Sequence, residues 1–260
     1  MPGRVHTEKD GPIGWLIVDH AERRNALTAD MWRQLPIAAR ALDEDASVRV
    51  IVMRGAGDQA FVSGADISEF SKLRTGDAAA QYDRENAEAF TALAHVQKPV
   101  LTLIHGFCIG GGVAISVSAD LRYAADDAVF AVPAARLGLG YPIAGIEALI
   151  QLVGFARAKE LFFTARRFDA QEALRMGLVN EVFAKRELDA RVREIALGMA
   201  DNAPLTLRAV KRAAIEFGRP AHERDLAAMR AASEACFTSA DYAEGIEAFL
   251  GKRRPVFQGR

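Results

Sequence analysis

The stretch HGFCIGGGVAISVSAD, residues 105–120, decides how this chain is read. An apolar run, PVLTLI (99–104), leads into it and reads as a buried strand. Three consecutive glycines, Gly110, Gly111 and Gly112, separate that run from a small-residue helix over about 110–118. Glycines between a strand and a helix let another group approach the backbone closely. A Walker-type phosphate loop needs Lys-Ser or Lys-Thr after its last glycine. Here Val113 and Ala114 follow. A dinucleotide fingerprint needs G-x-G-x-x-G, whereas the spacing from Gly106 is G-x-x-x-G-G-G. A further option is an oxyanion hole. Unpaired N–H groups at a helix start that converge on one oxygen stabilise a developing enolate or tetrahedral anion. On spacing alone, close packing of helix on strand accounts for the glycines equally well.

Working outward, IGWLIVD (13–19) and VRVIVMRG (48–55) read as strands, the second rich in β-branched residues. The segment 28–45 has helical spacing with Thr28 as N-cap, and Pro36 inside it predicts a kink or a boundary. FVSGADISEF (61–70) is short and rich in small residues. Residues 77–97 form a helix ended by Pro99. DLRYAADDAVFAVP (120–133) gives two short strands, and DAQEALRMGLVNEVF (169–183) reads as helix, glycine stop, strand. Helices dominate from about 143 onward, interrupted by Pro204, Gly218 and Pro220. Strands alternating with helices predict an α/β fold. The division expected is a core over 1–195 and a helical region over 196–260.

Composition narrows the function classes. The 260 residues are half apolar and carry a net charge of −1. No basic field argues for nucleic acid or an anionic membrane. The longest apolar runs fall well short of the ~20 residues of a membrane span. The start, MPGRVHTEKDG, is polar and has no signal-peptide core. Cys108 and Cys236 make no disulfide framework and are expected as reduced thiols of a cytoplasmic protein. No His, Cys, Asp and Glu cluster has metal-ligand spacing, and no G-x-S-x-G elbow is present.

The chain resembles the crotonase superfamily, the enoyl-CoA hydratase/isomerase family, over nearly its whole length. ERRNALT (22–28) is similar to the family's early Asn-Ala-Leu segment. FVSGADISEF resembles its first oxyanion-hole loop, and KPVLTLIHGFCIGGGVAISVSADLRYAA (98–125) its second. DYAEGIEAFLGKRRPVF (241–257) resembles its ending. The resemblance implies a spiral of ββα units with a helical C-terminal trimerisation region, assembled as a homotrimer or hexamer. It implies an acyl-CoA thioester substrate and no cofactor beyond the coenzyme A that the substrate carries. By motif position the hole N–H groups fall on Ala65 and Gly111. Arg24, Ala26 and Ser63 match positions along the CoA arm. Asp66, Ile67, Gly110, Pro133 and Leu137 match the walls of the binding site. Phe249 and Lys252 match positions that reach a neighbouring subunit's CoA.

Hydratases of the family hold two glutamates for acid–base work. At those positions this chain has Ala114 and Ala134. A methyl group transfers no proton. Decarboxylation of a malonyl-type thioester needs no base, because loss of CO2 generates the enolate directly. LGLGYPIAGI (137–146) resembles the methylmalonyl-CoA decarboxylase branch, in which a tyrosine at the position of Tyr141 meets the reacting carboxylate. That branch carries histidine where this chain has Ala65. Hydration or isomerisation with other acids, Glu69 and Glu147 first, stays open, as does acyl-CoA binding without catalysis. Asp66 is expected to cap the following helix and His105 to be a satisfied core histidine; Glu69 and Tyr82 lie in a segment that lines the acyl pocket in the family it resembles, and are themselves expected to be exposed.

Overall fold

The computed structural model describes residues 2–260. The polar N-terminal stretch forms an unanticipated strand, β1 (Arg4–Asp10), paired antiparallel with β2 (Ile13–Asp19). β1 is an edge strand with mostly solvent-facing side chains, so it carries no apolar alternation to read. Helix α1 (Ala29–Glu44) starts where expected, with Thr28 Oγ1 accepting the Met31 N–H at 3.3 Å. It runs unbroken through Pro36, which neither ends it nor divides it. Met31, Trp32, Leu35, Ala39 and Leu42 are buried along one face, and that packing offsets the one backbone bond that proline removes.

The middle of the chain then repeats one unit. β3 (Val50–Gly55) and β4 (Ala60–Val62) are followed by α2 (Phe70–Leu73) and α3 (Gly76–His95). β5 (Val100–Ile104) and β6 (Phe107–Ile109) are followed by α4 (Gly111–Val117). β7 (Leu121–Ala125) and β8 (Val129–Ala131) are followed by α5 (Ile143–Thr164), which bends at Gly154, φ 78°. β9 (Phe168–Asp169), α6 (Ala170–Arg175) and β10 (Glu181–Phe183) close the series. In each of the three ββα units the first strand joins a large sheet, ordered β1-β2-β3-β5-β7-β10, and the second joins a small one, β4-β6-β8-β9; the closing β9 and β10 take the reverse order. From β2 to β10 the large sheet is parallel, as are β4, β6 and β8. This is the expected spiral of ββα units. β3 and β5 are almost wholly buried and read as continuous apolar runs, as central parallel strands do.

Helix α7 (Lys185–Ala200) packs Leu188, Val192 and Ala196 against the large sheet. The division expected after residue 195 therefore falls inside a helix that belongs to the core. Pro204 occupies the first turn of α8 (Pro204–Gly218), followed by α9 (Leu226–Phe237) and α10 (Ala240–Leu250). These three helices leave an apolar cleft of about 900 Å³ lined by Leu205, Val210, Met229, Phe237, Ile246 and Phe249.

One buried polar side chain ties the start of the spiral together. Asn25 is 1% exposed and left-handed, φ 57°, a conformation asparagine tolerates better than most residues. Its Oδ1 accepts the His20 N–H at 3.0 Å. Its Nδ2 donates to the Ala56 and Ala60 carbonyls at 3.0 and 2.8 Å. Asn25→Ala strands all three backbone groups and is expected to cost about 2–4 kcal/mol. Urea denaturation checks this; a loss under about 1 kcal/mol would show that the turn holds without its clasp.

Candidate active site

Two backbone segments meet beside the glycine run. The chain leaves β4 through Ser63, Gly64 and Ala65, and residues 24–27 run alongside. Ser63 N–H donates to Arg24 O at 3.1 Å, Leu27 N–H to Gly64 O at 2.8 Å, and Asp66 N–H to Leu27 O at 2.8 Å. Leu27 and Ala65 form a parallel bridge. Because Gly64 and Asp66 both bond toward Leu27, the Ala65 N–H points to the other side. The three glycines serve three purposes. Gly110 turns the chain with φ 53° and donates to Ala131 O at 2.8 Å. A Cβ on Gly111 would lie 3.1 Å from Trp32 Cζ2 and 3.8 Å from the Ala65 nitrogen. A Cβ on Gly112 would collide with the Val62 carbonyl. So Gly112 lets α4 press on the end of β4, and that contact brings Gly111 beside Ala65.

Both segments open onto a cavity of about 120 Å³. Of the sequence-predicted residues, the structure gathers Ser63, Ala65, Ile67, Gly110, Gly111, Pro133, Leu137 and Tyr141 around it. Ala114 and Ala134 line it as well. Arg24, Ala26, Asp66, Phe249 and Lys252 do not. Arg24 is exposed, its guanidinium 4.9 Å from the centre of the Phe107 ring. Ala26 O faces His20 Nδ1 at 2.9 Å. Asp66 caps the next turn, accepting from Ser68 N–H at 3.0 Å and Ser68 O–H at 2.7 Å, which hold its carboxyl below the usual range. Phe249 lines the C-terminal cleft, and Lys252 lies exposed just beyond α10.

The Tyr141 hydroxyl donates to the Gly110 carbonyl at 3.1 Å, and its ring packs edge-on to Phe162 at 5.0 Å. Burial pushes its phenol well above 10.0, so it is a neutral donor at neutral pH. Tyr82 corrects the expectation of exposure. It is 2% exposed, lines the cavity, and is likewise shifted upward, chiefly by burial. Glu69 is half-buried and accepts the Ala29 N–H at 2.8 Å, at the start of α1. Glu147 is exposed and pairs with Gln151 at 3.4 Å. Neither glutamate lines the cavity. His105 is buried with Nε2 2.6 Å from Asp189, but its Nδ1 has no hydrogen-bond partner among the described residues, so the core histidine expected is satisfied at one nitrogen only. Burial pushes the Cys108 thiol up to about 12, so it supplies no thiolate at neutral pH.

The segment around Tyr82, which the resemblance placed along the acyl pocket, lines the cavity, and the sequence reading did not name the other members of that wall: Trp32, Phe70, Asn86 and Phe90 from α1, α2 and α3, with Arg74 after α2. A signal was present. Tyr82, Asn86 and Phe90 recur every fourth residue, on one face of α3. Arg74 is the one charged side chain among the described residues lining the cavity, and no carboxylate lines it.

A ββα spiral with two backbone segments converging on a small cavity defines a crotonase-type fold. The chain belongs to the enoyl-CoA hydratase/isomerase family, whose model matches residues 9–260. It is 33% identical to the short-chain-enoyl-CoA hydratase of Clostridium acetobutylicum, over 96% of this chain and 95% of that protein. It is also 33% identical to a peroxisomal Delta(3,5)-Delta(2,4)-dienoyl-CoA isomerase of Arabidopsis thaliana, over 97% and 95% of the two chains. An enoyl-CoA hydratase/carnithine racemase structure from Magnetospirillum magneticum superimposes with a TM-score of 0.94 at 32% identity, over 98% and 96% of the chains. Those names span different reactions, so kinship leaves the reaction to be argued from the site.

Proposed function

We propose that the protein is an enzyme acting on acyl-CoA thioesters that decarboxylates a malonyl-type substrate. The observation that carries this reading is a cavity beside paired backbone nitrogens with no carboxylate among the described residues of its walls. In the proposed mode the thioester oxygen accepts from the Ala65 and Gly111 N–H groups. The bond from the α-carbon to the carboxylate breaks and CO2 leaves. Its electron pair becomes the enolate, whose negative oxygen the two donors hold. Water then protonates the α-carbon. Ala114 and Ala134 leave the reacting carboxylate without the repulsion two glutamates would add. Tyr141 positions the turn by its bond to Gly110. Arg24, Ala26 and Ser63 lie along the proposed path of the CoA arm, and the Arg24 carbonyl already adjoins Ser63 at the rim.

Further copies of this chain are proposed to cover the C-terminal cleft, where Phe249 is 83% and Leu250 75% exposed. That assembly would place Phe249 and Lys252 against a neighbour's CoA. Sedimentation at micromolar concentration is expected to show a trimer or hexamer; a monomer throughout would remove those two residues from any such site.

The reaction is tested by steady-state rates on crotonyl-CoA and methylmalonyl-CoA. A general acid or base contributes about 10²–10⁴-fold, so the native chain is expected to hydrate crotonyl-CoA negligibly. It is expected to release CO2 from methylmalonyl-CoA faster than buffer does. Ala114→Glu with Ala134→Glu is expected to raise hydration. Native hydration at about 1–10³ per second, without decarboxylation, would contradict the proposal.

A further inference from the structure

The cavity wall contributed by α1, the segment after α2, and α3 holds polar atoms that the protein itself leaves unpaired. Trp32 Nε1, Asn86 Oδ1 and Arg74 Nε are all buried without a well-formed hydrogen bond among the described residues, and Trp32 and Asn86 both face the Tyr82 hydroxyl. Trp32 is 1% and Asn86 5% exposed, and the Arg74 Nε is itself buried although its side chain is partly exposed, so solvent does not satisfy these atoms in passing. An unmade buried bond costs about 1–3 kcal/mol. Three around one cavity of about 120 Å³ mark a place that something polar fills.

The groups are also held in position. Phe90 stacks edge-on against Trp32 at 5.4 Å, and Phe70 against Tyr82 at 6.2 Å. The Arg74 guanidinium lies 4.7 Å from the Tyr82 ring centre and 5.5 Å from that of Phe70. Its Nη1 is anchored outside by Asp83 at 2.6 Å, leaving Nε as the buried donor.

The chemistry of this set selects its ligand. Trp32 Nε1–H and Arg74 Nε–H donate only, Tyr82 has a hydroxyl to donate, and the Asn86 amide presents either end. A donor-rich wall with one cation and no carboxylate favours an anion with planar acceptor oxygens. We propose that this wall binds a carboxylate borne by the acyl group, so that the protein selects CoA thioesters of short dicarboxylic acids. Length follows from Trp32: its Cζ2 lies 3.1 Å from where a Gly111 Cβ would be, so one indole ring spans from the glycine turn to the donor wall. The inference rests on reading the cavity as the acyl site, and it does not require that the carboxylate be lost.

Calorimetric titration with succinyl-CoA and butyryl-CoA tests it. The two acyl chains have the same number of carbons, and the succinyl carboxylate is not β to the thioester carbonyl, so CO2 loss does not interfere. The native protein is expected to bind succinyl-CoA at least ~10-fold tighter than butyryl-CoA. Arg74→Gln is expected to bring the ratio near one while butyryl-CoA binding persists. Tyr82→Phe is expected to lower the ratio in part, and Arg74→Lys to retain part of it. Persistent butyryl-CoA binding also certifies that each variant is folded. Equal native affinities, or a preference that survives Arg74→Gln, would overturn the inference. No binding of either thioester would overturn it together with the acyl-site reading. Arg74-dependent preference without CO2 release from methylmalonyl-CoA would refute decarboxylation alone and leave the carboxylate site standing.

Discussion

The contact between the Gly112 α-carbon and the Val62 carbonyl is the constraint on which the site depends. Any side chain at 112 would push α4 off the end of β4. With α4 seated, Gly111 stands beside the Ala65 nitrogen, and the Leu27 bridge leaves the Ala65 N–H free on that side. The bridge in turn relies on a turn that the buried Asn25 amide clasps to the backbone around β4. A glycine, an asparagine and a two-sheet spiral thus fix where two peptide nitrogens lie. Backbone groups held this way need no reorganisation when charge develops nearby.

Magnitudes then separate the reactions such a cavity can support. One hole donor is worth about 2.7–4 kcal/mol of transition-state stabilisation. A general acid or base is worth about 10²–10⁴-fold, roughly 2.7–5.4 kcal/mol at 1.36 kcal/mol per decade. Hydration draws on both contributions, and a cavity walled by Ala114 and Ala134 offers only the first. Decarboxylation draws chiefly on the first. The carboxylate site proposed at Arg74 would admit the same substrate class.

Much of this was legible in the chain. The strands around 13–19, 48–55 and 99–104 announced themselves because both faces are largely buried and most positions are apolar or β-branched. The glycines and the segments flanking Ala65 and Tyr141 located the cavity. What escaped had weak local signals. β1 is polar because it is an edge; β6 and β9 have three and two residues, too few to show a period. Pro36 argued for a break that tertiary burial overrode. The donor wall was legible only as a segment around Tyr82, because its residues come from separate elements and sum to a site only when α1 and α3 pack together. Tyr82 and Asn86, read along α3, are two polar residues on a helix; folded, they face Trp32.

The central claim is that the Ala65 and Gly111 nitrogens hold the oxygen on which charge develops. A crystal structure with a non-reactive malonyl-CoA analogue tests it most directly. The account predicts the thioester oxygen about 2.7–3.1 Å from both nitrogens, with no carboxylate of the protein within hydrogen-bonding reach of the α-carbon. A thioester oxygen bound elsewhere, or a glutamate drawn in beside the α-carbon, would contradict it.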